Sequence, residues 1–539
     1  MTILNEKLSP VTDAELQDYL RAILNASIYD LVIESKLELG KKISARLGQQ
    51  IWLKREDTQA VFSFKLRGAY NKLQKLDAAA RALGVLAVSA GNHAQGVALA
   101  AQHLGISAVI VMPQTTPPIK IDAVRALGAE VVLHGDSYDD AAAHGALLAS
   151  TRNLVMVHPF DDLDVIAGQG TIAMELCRQA QKIDAIFVPV GGGGLIAGIA
   201  AWIKALRPEV KIIGVEPIDA ACLHAALMAG QPVTLSQVGL FVDGVAVKRI
   251  GDAPFRVALR CVDEMVLVTT DQVCAAIRDI FEETRTVVEP AGALALAGIK
   301  QWSAQKPRTP GLNLVSIVCG ANMNFDRLRH VAERAEIGQQ SEAVFGVTIP
   351  EQPGSFLQFC RALGKRAITE FNYRYVENAS AQVFVGIALR EGAPERLSVL
   401  ADLRAQHYQV SDFSDNETAK LHVRHLVGGR LEAKIPERIF RFEFPERPGA
   451  LLSFLEQLST RYNITLFHYR NHGAAYGRVL AGFQVSAADS AEFEARLDDL
   501  GYSRVEETDN PALKQFLRTD HSKAGVFTAE AVALEIPPR

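Results

Sequence analysis

The chain has 539 residues, of which 49% are hydrophobic and 22% charged, with a formal net charge of −5 and a pI near 6.3. That length exceeds a single core and predicts a large domain followed by one or two smaller ones. The acidic balance, without a lysine-rich tail, argues against nucleic acid as a partner. No uninterrupted apolar run reaches the roughly 18 residues of a bilayer span, which argues against a membrane protein.

Six cysteines, at 177, 222, 261, 274, 319 and 360, stand singly. Without a C-x-x-C pair or a regular spacing they predict neither a disulfide framework nor a metal site, and they fit a reducing cytoplasm. Met1 to Lys7 carries an acidic residue and no apolar segment, so no signal or transit peptide is expected.

The first informative stretch is Ser63-Phe64-Lys65-Leu66-Arg67-Gly68-Ala69. Leu66, Ala69, Tyr70, Leu73 and Leu76 recur on one helical face, which puts Lys65 near a helix start with Ser63 as its N-cap. The positive end of a helix disfavours a second positive charge, and a lysine must lose its proton before it can attack an aldehyde. A solvated lysine on an amphipathic helix fits the same pattern.

From about residue 20 to 330 short apolar strands alternate with amphipathic helices. The expected strands are Val85 to Ser89, Ala108 to Met112, Glu130 to His134, Leu154 to His158, Ala185 to Val190, Lys211 to Val215 and Leu314 to Val318. Strands apolar on both faces belong to a parallel sheet covered on both sides by helices, an α/β domain of the open, doubly wound kind. Ligands in that architecture collect at the carboxyl ends of the strands.

Three loops there carry chemistry. Ser89, Ala90, Gly91, Asn92 and His93 follow a strand and precede a helix expected over Val97 to Leu104, so their backbone N–H groups make a seat for a carboxylate. Asn92 adds an amide that can bond a phenolic oxygen, although Ser and Asn caps on an ordinary turn would look alike. Gly191, Gly192, Gly193, Gly194 and Leu195 precede a helix expected over Ile196 to Leu206. Consecutive glycines suggest a backbone wrapped closely around a guest such as phosphate, and their spacing matches neither a P-loop nor a dinucleotide fingerprint. A tight turn would also use glycine. Cys319, in Cys319-Gly320-Ala321-Asn322, ends a late strand, where its thiol could face a ring nitrogen or simply be buried and inert.

These stretches, with Glu289-Pro290-Ala291-Gly292-Ala293, occur in an order that resembles the threonine and serine dehydratases of the tryptophan synthase β-type (fold type II) pyridoxal phosphate enzymes, over roughly residues 20 to 330. The resemblance implies that Lys65 carries the cofactor, Asn92 contacts its 3′-oxygen, Gly191 to Leu195 hold its phosphate and Cys319 faces the pyridine nitrogen. The cysteine departs from the serine more usual there. Ser89 to His93 would seat the carboxylate of L-threonine, which would be converted to 2-oxobutanoate and ammonia. A thiol does not hold the ring nitrogen protonated, which favours elimination of the β-hydroxyl.

Around Asp326 to Ala343 the chain becomes charged and helical, a connector. Val347-Thr348-Ile349-Pro350-Glu351-Gln352-Pro353-Gly354 then recurs as Phe442-Glu443-Phe444-Pro445-Glu446-Arg447-Pro448-Gly449. Each copy reads as strand, helix, strand, strand, helix, strand, a ferredoxin-like unit. The expected domains are 1–330 catalytic, 331–342 connector, 343–430 and 431–539 regulatory, the last with a C-terminal tail. The repeats resemble ACT-like regulatory domains of biosynthetic threonine dehydratases, implying feedback by isoleucine, with valine a further effector candidate, and a homotetramer. Tyr373 and Tyr469 hold equivalent places in the copies, each before an arginine, and are candidate effector contacts; both also fit as core aromatics. The competing readings are a serine-directed lyase or racemase of the same fold and a non-catalytic amino-acid sensor.

Overall fold

The computed structural model describes residues 8–305, 310–338, 342–350, 355–364, 366, 368–373, 380–389, 391–416, 418–419, 423, 436–445, 462, 464–470 and 476–517. They form two compact units, one dominated by residues up to 338 and the other by residues from 342 onward.

The first unit is α/β, but its strands divide between two sheets. In chain order they are β1 (Leu37–Leu39), β2 (Gln50–Arg55), β3 (Val85–Val88), β4 (Ala108–Met112), β5 (Glu130–Leu133), β6 (Val155–Met156), β7 (Ala185–Pro189), β8 (Lys211–Pro217), β9 (Glu264–Val268) and β10 (Asn313–Val318). The larger sheet runs β1-β2-β10-β7-β8-β9 and the smaller β5-β4-β3-β6. All pairings are parallel except β1 with β2.

The expected strands all appear, most within a residue or two at either end, yet a single doubly wound sheet does not. Strand patterning cannot reveal the division, because each sheet is covered by helices and each strand reads as apolar. Separate cores lie under the two sheets. Ile186, Phe187, Ile213 and Val315 belong to one, and Val85, Ala87, Ile110 and Tyr70 to another. Strand β2 escaped the sequence reading because Lys54 and Arg55 interrupt its apolar run; β9 is short and only half buried.

Those charges have partners. Arg67 lies in the helix Lys65–Gln74 and is fully buried. Its guanidinium meets Glu56 at 2.7 Å and Glu175 at 2.6 Å, and Lys54 meets Glu175 at 2.5 Å. Two cations thus face two carboxylates, and Ser35 Oγ donates to Glu56 at 2.5 Å. Burial works against charge on Arg67, but Glu56 and Glu175 outweigh it and keep the side chain protonated. The cluster fixes the catalytic helix against β2 and the helix Leu163–Gln179.

The charged helix Arg327–Gly338 is more than a tether. Val331 and Ala335 join the larger core, and Arg334 pairs with Asp271 at 3.0 Å.

The second unit repeats one pattern. Its first copy has β11 (Glu342–Pro350), the helix Ser355–Ala362, β12 (Ile368–Tyr373), β13 (Ser380–Ala388), the helix Ala393–Ala405 and β14 (Gln409–Asp412). The second has β15 (Glu437–Pro445), β16 (Ile464–Arg470), β17 (Tyr476–Gln484), the helix Ser490–Leu500 and β18 (Ser503–Glu506). The helix expected over Leu452 to Leu458 lies outside the described residues, as do the residues after Pro350 and Pro445 in the expected turns. Sheet orders β12-β13-β11-β14 and β16-β17-β15-β18 are the same, as ferredoxin-like units require. Val344, Phe384 and Phe413 of the first copy share a buried cluster with Ile439, Leu480 and Leu513 from the second.

Replacing Arg67 with Met would leave Glu56 and Glu175 buried without their shared partner. The expected cost is about 3–5 kcal/mol, read as a lowered melting temperature. Breaking the exposed Arg152–Glu130 pair is expected to cost ~1 kcal/mol or less. Equally small shifts for both would show that the buried cluster contributes no more than a surface pair.

Candidate active site

Lys65 opens its helix, but the formal N-cap is Phe64 rather than Ser63. Ser63 still serves the helix start, since its Oγ accepts from the Lys65 amide at 3.3 Å. The more important role of Ser63 is a pairing the sequence did not suggest: an antiparallel bridge to Gly320. The Phe64 amide donates to Cys319 O at 3.1 Å, and the Ala321 amide to Phe62 O at 2.8 Å. The carboxyl end of β10 is thereby fastened to the helix that carries Lys65, and the amine and the Cys319 thiol share one neighbourhood.

Lys65 Nζ donates to Pro159 O at 3.2 Å. Burial pulls its pKa down to about 8, while Cys319 and Glu289 pull the other way. Desolvation rather than the helix end is the first cause, a correction to the sequence argument. Burial also pushes the Cys319 thiol well up, with Glu289 adding to the effect. Cys319 is therefore a neutral group.

The loop from Ser89 to His93 also leads into a helix start. Its helix begins at Asn92, earlier than the expected Val97, so Asn92 and His93 occupy the first turn. No side chain caps this helix, which leaves its first N–H groups available to an anion. Ser89, Ala90, Gly91 and Asn92 are half-buried; Ser89 Oγ accepts from the Gly91 amide at 3.2 Å. His93 is buried, and its Nε2 lies 2.9 Å from Val157 O. That contact makes Nε2 the protonated nitrogen. Burial, with Lys65 nearby, lowers its pKa to about 3. The ring is neutral, so His93 can serve an anion through its backbone and not through ring charge.

Asn92 is held by two neighbours absent from the sequence-based set. Its Nδ2 donates to Glu289 Oε1 at 2.6 Å, and its Oδ1 accepts from Asn322 Nδ2 at 2.6 Å. Burial and the Asp243 charge push Glu289 up to about 7. Asp243 itself pairs with Lys120 at 2.9 Å and with Arg327 at 3.4 Å. Burial opposes its ionisation, but those two cations outweigh it and hold the carboxyl well below the usual range. Glu289 and Asn322 stand inside stretches whose motif value was visible; nothing local signalled that they converge on Asn92.

The glycine loop leaves β7 and enters a helix at Gly194, ahead of the expected Ile196. Gly193 has φ +91 and caps that helix without a side chain, a backbone conformation that glycine reaches freely. The helix start is again uncapped, and the N–H groups around Gly191, Gly192, Gly193, Gly194 and Leu195 suit a phosphate. Because β7 and β10 are adjacent and parallel, this loop and Cys319 leave the same end of the larger sheet. An uncapped helix start beside a glycine loop, a half-buried lysine of lowered pKa and a neutral thiol fit pyridoxal phosphate. Tyr373 and Tyr469 belong to the other unit, at matching register positions opposite Val383 and Val479. Their side chains lie outside the described residues.

Fold and site define a pyridoxal phosphate-dependent enzyme. The model of the pyridoxal-phosphate dependent enzyme family matches residues 30–320, and that of the C-terminal regulatory domain of threonine dehydratase matches 333–423 and 428–517. The chain belongs to the threonine dehydratase family. It is 53% identical over 501 residues to the biosynthetic L-threonine dehydratase of Pasteurella multocida, covering 93% of this chain and 97% of that protein. It is 52% identical over 490 residues to the chloroplastic biosynthetic enzyme of Arabidopsis thaliana, covering 91% and 82%. Among solved structures, the processed form of threonine deaminase isoform 2 from Solanum lycopersicum aligns with a TM-score of 0.59 and 49% identity, over 62% of this chain and 96% of that one.

With a pKa near 8 for Lys65, the reactive neutral amine grows as pH rises through that value and then saturates. The rate of pyridoxal phosphate uptake by ligand-free protein is expected to follow the same curve and to flatten above about pH 9. A rate still climbing steeply at pH 10 would mean that Lys65 titrates as an ordinary lysine.

Proposed function

We propose that the protein dehydrates and deaminates L-threonine to 2-oxobutanoate and ammonia, as the first step of isoleucine synthesis. The observation that carries this reading is the convergence of half-buried Lys65, neutral Cys319 and two uncapped helix starts at Asn92 and Gly194. Bound pyridoxal phosphate supplies an aldehyde for an amine and an electron-withdrawing ring that eases loss of the Cα proton.

The chain's own residues supply position and proton handling. Lys65 would hold the cofactor, and its free amine would take the Cα proton at Nζ, for which a pKa near 8 is suited. The backbone of Ser89, Ala90, Gly91, Asn92 and His93 seats the substrate carboxylate and so orients the Cα–H bond. The N–H groups of Gly191 to Leu195 hold the cofactor phosphate. The Asn92 amide, fixed between Glu289 and Asn322, would meet the cofactor's 3′-oxygen. The uncharged Cys319 thiol would meet the ring nitrogen without holding it protonated. Loss of the Cα proton and the β-hydroxyl leaves an unsaturated amino acid, which tautomerises and hydrolyses to the 2-oxo acid and ammonia.

Lys65→Ala is expected to abolish ammonia release from L-threonine while far-ultraviolet circular dichroism stays that of the parent. Substantial release by this variant would refute the assignment. Running L-serine alongside L-threonine on the parent distinguishes a serine-directed enzyme.

The reading extends to regulation and assembly: isoleucine as feedback inhibitor, a homotetramer, and a cytoplasmic setting. Among the described residues no helix is long and apolar enough to cross a membrane. Tyr373 and Tyr469 are the proposed effector contacts, supported by their matching register and by the β-bulge that precedes each in the same place. An effector inhibits only by binding the less active state more tightly. Tyr373→Ala or Tyr469→Ala is expected to shift the isoleucine dose–response curve upward by about tenfold, the equivalent of one lost contact. Curves superimposable on the parent for both variants would remove these tyrosines from the effector site.

A further inference from the structure

One segment touches His93, Lys65 and the glycine loop without appearing in any motif: Val157 to Asp161, leaving the smaller sheet after β6. Val157 O receives the His93 ring at 2.9 Å, and Pro159 O receives the Lys65 amine at 3.2 Å. His158 Nδ1 accepts the amides of Phe160 and Asp161 at 3.3 and 2.8 Å, which folds the segment into a tight turn. The His158 ring stands edge-on to Phe160, with centroids 4.7 Å apart. The Asp161 carboxylate accepts the amides of Asp252 and Ala253, both at 3.0 Å, next to Gly251, whose amide donates to Gly192 O at 3.1 Å.

The turn delivers the Phe160 ring onto the glycine loop. A Cβ on Gly192 would collide with ring atoms Cγ, Cδ1 and Cε1 of Phe160. A Cβ on Gly194 would instead lie 2.9 Å from the Phe160 carbonyl oxygen and 3.0 Å from its Cα. One on Gly193 would press on Ile250 and Pro254. Three consecutive glycines are therefore demanded by three different neighbours: a ring, a main chain, and a pair of apolar side chains combined with positive φ.

We propose that Phe160 is a positioning residue that sets the glycine loop relative to Lys65, and that Gly192 is required by the Phe160 ring rather than by the phosphate. The amine and the glycine loop are held by adjacent residues, since Lys65 Nζ donates to Pro159 O and the loop packs on Phe160. A displacement of the turn moves both together, so the spacing between aldehyde carbon and phosphate that the cofactor must bridge is kept by Val157 to Asp161. This rests on the reading that Gly191 to Leu195 hold the phosphate.

The test measures the dissociation constant of pyridoxal phosphate by absorbance titration of the full-length apoprotein, for Gly192→Ala, Gly193→Ala and Gly194→Ala, each with and without Phe160→Ala. Each glycine variant alone is expected to weaken cofactor affinity by at least tenfold. Phe160→Ala should rescue Gly192→Ala, bringing the double variant to the affinity of Phe160→Ala alone, because the ring that Cβ meets is gone. It should not rescue Gly194→Ala, which meets main chain, or Gly193→Ala, which meets Ile250 and Pro254. Phe160→Leu, which keeps much of the bulk, should rescue less. Losses that multiply in the Gly192/Phe160 pair, or rescue of all three glycines alike, would overturn the proposal. If none of the glycine variants alters affinity, the phosphate reading itself fails and the proposal with it. Melting curves identify any variant that does not fold, and the Phe160→Leu pairing then carries the comparison.

Discussion

The interaction on which the catalytic unit depends is the buried meeting of Arg67 and Lys54 with Glu56 and Glu175. Desolvating four charges is expensive, and such clusters add less stability than a well-packed apolar core would. Their value lies in geometry. Arg67 sits two residues beyond Lys65, and its planar guanidinium accepts only a narrow range of carboxylate positions. The helix is thereby fixed in rotation as well as in place. With Ser63 clamped to Gly320 at its entrance, the Lys65 side chain has little freedom in where it emerges.

Around that fixed helix the site is assembled from pieces remote in the chain. Asn92 comes from the smaller sheet's first loop, Cys319 and Asn322 from the exit of β10, Glu289 from the residue before a buried helix, and the glycines from the exit of β7. Parallel strands bring these loops to one end because every crossover returns the chain in the same direction. The electrostatic character follows from shared burial. Lys65 is drawn down to about 8 and Glu289 up to about 7, so both groups change charge near neutral pH, while His93 and Cys319 are held uncharged.

Much of this was legible in the residues. The apolar runs gave strand after strand, the 3.6-residue spacing gave the Lys65 helix, and the internal repeat gave two copies of one regulatory unit, to which the structure adds a shared bulge. Local pattern carried no information on which strands share a sheet, so two sheets were read as one. It also missed β2, where Lys54 and Arg55 look like surface charges until Glu175 and Asp57 are placed beside them. The depressed basicity of Lys65 was anticipated but credited to the helix end, since burial is a tertiary property. The glycine run showed that something lies close to the backbone. What lies close on one side is Phe160, a neighbour thirty-odd positions earlier.

The two uncapped helix starts bear on the life of the protein before it meets its cofactor. A glycine N-cap in place of a side-chain cap typically forgoes about a few tenths of a kcal/mol, and here the deficit falls at the starts of the Asn92 and Gly194 helices together. Anions held at both ends would offset it, since any ligand bound only by the native state stabilises that state by mass action. A ligand held at either helix start would leave that end harder to open. The bare N–H groups that suit these helix starts to an anion are thus the same groups whose exposure an anion would end.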